Sequence, residues 1–112
     1  MKIAIQSIHF DADQKLLAFI QKKADKLDQY YDQIISGEVY LKLNNVTEET
    51  NKIVEIKLMI PGNTLFAKEE CKSFEEATDL AIESLRKQIR RYKEKIRSHE
   101  SNHKEIANQE ID

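Results

Sequence analysis

The chain is short of the residues that several common kinds of protein are built from. Cys71 is its only cysteine, so no internal disulfide can form, and a cytoplasmic address is the expectation. Its two glycines, Gly37 and Gly62, lie far apart, which rules out a glycine-rich phosphate loop. No apolar run approaches the ~20 residues that span a bilayer, and the opening MKIAIQSIHF lacks the apolar core of a signal peptide. Catalytic constellations are missing too. His9, His99 and His103 are scattered, and although His99-x-x-x-His103 has a metal-ligand spacing on a helix, no third ligand accompanies it. Cys71 falls on the inward side of an expected strand, where a thiol is inert. We therefore expect no enzyme, no cofactor, no metal, no membrane and no small-molecule substrate.

What is present is ordinary in bulk and uneven in detail. At 112 residues, with 40% apolar and 34% charged, the chain suits one soluble domain with a modest core. A net charge of −2 argues by itself against a polyanionic partner. The distribution argues the other way. Residues 1–85 sum to −5 and residues 98–112 to −3, whereas Arg86 to Arg97 holds seven basic residues against Glu94 alone, a net +6.

That basic stretch closes the element around which the chain is organised, an expected helix from Ser73 to Arg97. Ser73 with Glu76 fits a capping box. Ala77, Ala81, Leu85, Ile89, Tyr92 and Ile96 recur at spacings of three and four, one apolar stripe uninterrupted by Gly or Pro. A rod of about 36 Å follows at 1.5 Å per residue. The helix macrodipole accounts for Glu75, Glu76 and Asp79 near the start and for Lys93, Lys95 and Arg97 near the end. It does not reach Arg86, Lys87, Arg90 and Arg91. Glu83 with Lys87, and Arg90 with Glu94, are the available i,i+4 pairs. A solvated face is the plain reading of such a run. The stripe of Lys87, Arg91 and Lys95 at i, i+4, i+8, bordered by Arg86, Arg90, Lys93 and Arg97, also suits a phosphate backbone followed over several turns.

In chain order, Lys2 to His9 alternates around Ile3 and Ile5 as a strand. Asp11 with Gln14 reads as the cap of a helix that runs to about Gln33, with Leu16, Ile20, Ala24, Leu27, Tyr31 and Ile34 on one stripe. Ser36-Gly37 ends that helix. Strands are expected at Glu38–Val46, Lys52–Ile60 and Thr64–Lys72, with a polar loop at Thr47–Asn51 and a type II turn at Pro61-Gly62. Glu69 falls on the inward side of the last strand, against the pattern. Residues 1–99 form the expected domain, and 100–112, sparse in apolar residues, an expected mobile tail. The order β-α-β-β-β-α implies an α+β fold, a four-stranded mixed sheet with both helices packed on one face. Tyr40 and Phe66 with Lys42, Lys57 and Lys68 would lie on the wet face. That grouping faintly suggests a base-stacking platform, although ordinary cross-strand packing produces it as well.

With those elements in place, the chain resembles the ribosome hibernation-promoting factor family, also called ribosome-associated translation inhibitors or sigma-54 modulation proteins. The resemblance covers residues 1 to about 97. Its carrying segments are KADKLDQYYDQI (Lys23 to Ile34), AKEECKSFEEATDLAI (Ala67 to Ile82) and LRKQIRRYKEKI (Leu85 to Ile96). It implies a bacterial cytoplasmic factor that docks between head and body of the small ribosomal subunit, contacts its rRNA and occupies the path of mRNA and tRNA in idle ribosomes. By position, Lys23 and Lys26, with Lys87, Arg91 and Lys95, match the family's recurrent basic residues. Arg90 and Lys93 match less regular ones, and Arg86 borders the same stripe. A monomer off the ribosome is expected. Long family members add a second domain that pairs ribosomes. Short members differ in their C-terminal extension, and the tail here is intermediate between the two kinds. Two other functions fit the same residues: a general RNA-binding module reading duplexes, and a protein-interaction regulator, such as a sigma-factor modulator, using the basic face against an acidic patch.

Overall fold

The computed structural model describes residues 1–44 and 50–101, with side chains up to Ile96 in the last helix. Val46 at the expected end of the second strand, residues 47–49 of the expected loop, the side chains of Arg97 and His99, and His103 with the rest of the chain from 102 onward lie outside the described residues. The elements are β1 (Lys2–Ser7), α1 (Gln14–Tyr30), β2 (Ser36–Leu43), β3 (Lys52–Ile60), β4 (Asn63–Cys71) and α2 (Phe74–Ser101), the expected order.

The sheet has spatial order β1-β2-β3-β4, with β1 parallel to β2 and the other neighbours antiparallel. The crossover through α1 forces the parallel pair, and the short links force the meander. Gly37 sits where β1, β2 and β3 crowd together: a Cβ there would meet side-chain carbons of Ile3 and Leu58 at 3.1 Å each. Pro61-Gly62 joins β3 to β4 with Gly62 at φ 78°, the positive angle that the second central residue of a type II turn requires. The chain leaves β1 through His9 at φ 69°, in the left-handed region.

Local chemistry shifted several boundaries. Asp13, not Asp11, caps α1: its carboxylate accepts the Leu16 amide at 2.9 Å. The helix stops at Tyr30, about three residues before the expected Gln33, because Tyr31 turns extended (φ −149°, ψ 111°) while its amide still bonds the Leu27 carbonyl. Ser36 and Gly37 therefore open β2 rather than end the helix. At the start of α2 the Ser73 hydroxyl accepts the Glu76 amide at 3.1 Å, as a cap at that position should. The helix backbone continues to Ser101, past the expected end at Arg97.

Both helices lie on one sheet face. Leu16, Ile20, Ala24 and Leu27 of α1, and Ala77, Ala81, Leu85 and Ile89 of α2, are buried against the inward residues of β2, β3 and β4. The two reversals from β2 to β4 leave the helices parallel. Phe10 stacks on Phe74 at their starts (5.2 Å between centroids), and Tyr31 meets Tyr92 edge-on further along (6.4 Å). The Tyr92 hydroxyl donates to the Pro61 carbonyl at 2.8 Å, so α2 has reached the β3–β4 turn by that point. Residues 93–101 carry the helix about 14 Å beyond it.

Leu85 and Ile89 are 0% exposed, so Leu85→Ala or Ile89→Ala should each cost about 2–5 kcal/mol in urea denaturation; a loss under about 0.5 kcal/mol would contradict their placement. Burial pushes the Cys71 thiol above its ordinary pKa, and the carboxylates of Glu76, Glu69 and Glu70 add to the shift. Less thiolate means slower reaction, so iodoacetamide at neutral pH should modify native Cys71 far more slowly than the urea-unfolded chain.

Candidate nucleic-acid interface

Seating the apolar stripe of α2 on the sheet turns its opposite side to solvent, and the positive run lies there. The structure divides the eight basic residues singled out above into two groups. Lys23, Arg86 and Lys93 are engaged within the domain. Lys26, Lys87, Arg90, Arg91 and Lys95 are exposed, and make no hydrogen bond or ion pair among the described residues.

The engaged three bind the helices to each other. Lys23 pairs with Asp79 across the helix–helix seam at 3.0 Å, its ammonium 5.3 Å from the Phe19 ring centroid. Arg86 grips Glu83 through two bonds (Nε to Oε1 at 3.2 Å, Nη2 to Oε2 at 2.5 Å), with its guanidinium 5.9 Å from the Tyr30 ring centroid. The hydrogen bond from Arg86 holds the Glu83 carboxyl below its usual pKa despite partial desolvation, and Glu83 raises Arg86 in return. Glu83 thus closes an i,i+3 pair with Arg86 and not the expected pair with Lys87. Arg90 and Glu94 likewise form no ion pair among the described residues. Lys93 donates to the Tyr30 carbonyl at 3.1 Å and lies 4.6 Å from the Tyr30 ring centroid. It meets the negative end of α1's dipole, which no basic residue in that helix's own last turn serves.

Charge on α1 is sorted by side. Asp28 and Asp25 face β1, where they meet the Met1 amino group. Lys23 faces α2, and Lys26, one turn later, shares that shoulder. The exposed cations of α2 therefore have one further cation, and no acid of α1, on their flank.

On the β4 side the interface borders an open groove of about 610 Å³. Leu80, Glu83, Ser84, Lys87, Gln88 and Arg91 line it from α2 and Glu69 from β4. This explains the inward acid that breaks the strand pattern: β4 is an edge strand, and Glu69, paired in register with Val54, points over the rim and not into the core. Gln88 carries no charge and so gave no signal in the sequence. Its amide donates to the Phe66 carbonyl at 2.9 Å and to the Ser84 hydroxyl at 3.2 Å, tying helix to strand.

The wet sheet face offers much less field. Lys42 pairs with Glu55 at 3.0 Å, Lys68 approaches the same carboxylate at 4.0 Å, and the Tyr40 hydroxyl donates to Glu38 at 3.0 Å. Phe66 is 49% exposed with Lys57 beside it in register, but the platform's other members are spent on their neighbours. Among the described residues no group of three potential metal ligands occurs, and no helix is long and apolar enough to cross a membrane.

Comparison with known proteins agrees with the fold. The family described as Sigma 54 modulation protein / S30EA ribosomal protein matches residues 3–97. A ribosome hibernation promoting factor from Pseudomonas putida is 26% identical over 98 residues, 88% of this chain and 92% of that one. A ribosome hibernation promotion factor from Deinococcus radiodurans is 33% identical over 76 residues, 67% of this chain and 40% of that longer one. Among solved structures, a ribosomal subunit interface protein from Coxiella burnetii superimposes with a TM-score of 0.74 at 25% identity, covering 83% of this chain and 98% of that one.

The division of cations is testable by stability alone. Lys93→Gln removes the cation at α1's last turn and should cost about 1–2 kcal/mol. Arg90→Gln should stay within about 0.5 kcal/mol. Denaturation curves showing the reverse order would exchange the two roles.

Proposed function

This chain belongs to the Sigma 54 modulation protein / S30EA ribosomal protein family, and on that footing we propose that it is a ribosome hibernation factor which binds the rRNA of the small subunit and blocks the path of mRNA and tRNA in idle ribosomes. The family's members act by binding and not by catalysis. The observation that carries the reading is the row of exposed, unpaired cations on α2, within the segment that the family match covers. A polyanion binds there mainly by displacing counterions, which needs positive charge that is not already neutralised by the protein itself. Lys87, Arg90, Arg91 and Lys95 meet that condition, with Lys26 beside them. Lys23, Arg86 and Lys93 support the surface from behind by holding α1 against α2. Their part in binding is indirect: they fix the rotation and spacing of the two helices.

The projecting end of α2 suits the same purpose. A helix that continues past the sheet can enter a crevice too narrow for the body of the domain, and Lys95 lies on that extension. Such a protein would act in the cytoplasm, where ribosomes are.

Replacing Lys87, Arg91 and Lys95 together with Gln should leave the melting temperature nearly unchanged while strongly weakening co-sedimentation with small subunits. The slope of log K against log salt should fall by roughly two units, at about 0.7–0.9 per phosphate contact. The control is the sheet trio Lys42, Lys57 and Lys68. If that trio abolishes binding and the helix trio does not, the docking face is the sheet. Duplex RNA in excess should not displace the protein from subunits; if it does, the protein is a general duplex binder.

A further inference from the structure

We propose that the groove between α2 and the edge strand β4 takes one unstacked nucleotide of a bound RNA strand, and that Glu69 selects guanine there. The inference rests on the RNA-binding reading above and identifies the part of that interface that chooses a base.

The argument begins with an apparent mismatch. The groove adjoins a surface suited to polyanions, and Lys87 and Arg91 stand in its wall, yet two carboxylates line it: Glu83, which Arg86 neutralises, and Glu69, which β4 holds over it. Glu69 is half-buried and makes no hydrogen bond or ion pair among the described residues. An ionised carboxylate only accepts hydrogen bonds. Beside phosphates it is unfavourable unless the ligand brings donors to it, and in RNA the rich donors are base edges.

The edges differ in what they present to two carboxylate oxygens. Guanine offers N1–H and the N2 amino group side by side, a match for both oxygens at once. Adenine and cytosine each offer one amino group next to a ring nitrogen that only accepts. Uracil offers N3–H between two carbonyls that repel the carboxylate. Only guanine satisfies Glu69 fully. That edge is occupied in a base pair, so the base must be unpaired and splayed out, the state in which proteins usually read RNA sequence.

The rest of the groove has the parts such a base needs. Its volume of about 610 Å³ lies within the ~300–1,000 Å³ of small-ligand sites. Arg91 provides a guanidinium plane on which a base can stack. Leu80, 46% exposed, gives an apolar wall, and Lys87 is placed for the phosphate. Gln88, fastened to Phe66 and Ser84, holds the two sides of the groove at a set width.

Fluorescence anisotropy with labelled octauridine carrying one central guanosine, inosine or adenosine tests this directly. Inosine keeps N1–H and lacks the amino group. Wild-type protein should bind the guanosine strand roughly tenfold more tightly than the inosine strand. Glu69→Gln, nearly isosteric at a half-exposed position, should erase that preference and, by removing a charge that repels phosphates, should bind plain octauridine at least as tightly as the wild type does. Lys87→Gln with Arg91→Gln should weaken all strands alike. Equal binding of guanosine and inosine strands, no measurable binding of either, or a preference that survives Glu69→Gln overturns the inference. Co-sedimentation of the wild type with small subunits separates the two readings. If it sediments but shows no guanine preference, only the groove assignment fails; if it does not sediment, the hibernation reading fails as well.

Discussion

Leu85 and Ile89, pressed onto the sheet at 0% exposure, set the rotation of α2 about its axis, and every charge on that helix takes its direction from them. Burying two such side chains contributes about 1.5–3 kcal/mol each, far more than any single exposed charge can. The apolar contact therefore decides, and the electrostatics follow. Residues that directly follow a stripe member, about 100° round the helix, fall on one shoulder, where Arg86 and Lys93 meet α1. Residues diametrically opposed face water, as Lys87 and Arg91 do. The cationic surface is thus a geometric consequence of core packing.

Parts of this were legible in the sequence because they depend on spacing. The helix stripe, the strand alternation and the Pro61-Gly62 turn are all local patterns. What escaped was the outcome of competition between near-equivalent neighbours. Asp11 and Asp13 can each cap a helix, and the difference between them is whether the carboxylate reaches the Leu16 amide. Lys93 and Lys95 look alike in the sequence. Only the position of Tyr30, more than sixty residues away in the chain, commits one of them to the interior of the fold. Glu69 was visible as an exception but not as a rim residue, because that depends on β4 being the last strand of the sheet. Gln88 was invisible, being neutral and set among charges.

The engaged and exposed cations also differ in how salt should act on them. Lys23, Arg86 and Lys93 meet their partners at contact range, so added salt weakens them less than it weakens charges that act across solvent. The exposed group interacts with one another and with any partner across solvent, where a Debye length near 8 Å at physiological ionic strength limits their reach. The two helices thus carry a less salt-sensitive set that holds them together and a more salt-sensitive set free to act outward. Acidity over the first 85 residues keeps the chain's total charge small, so any attraction to polyanions is confined to a single face.

The bond from Gln88 to Phe66 has a further consequence, for crowding. In a two-residue hairpin the closing pair, Ile60 with Asn63, is hydrogen-bonded, and alternation from there leaves the Phe66 N–H and carbonyl facing away from β3. β4 is nine residues long, lacks proline, and ends the sheet, so these outward groups form the kind of template on which a second chain can add a strand. The Gln88 amide occupies the Phe66 carbonyl near the middle of that row, and Lys68 and Glu70 place charges just beyond it. A side chain from the domain's own helix takes the place of an intruding backbone, which favours a protein that can accumulate to high concentration without joining edge to edge into fibrils.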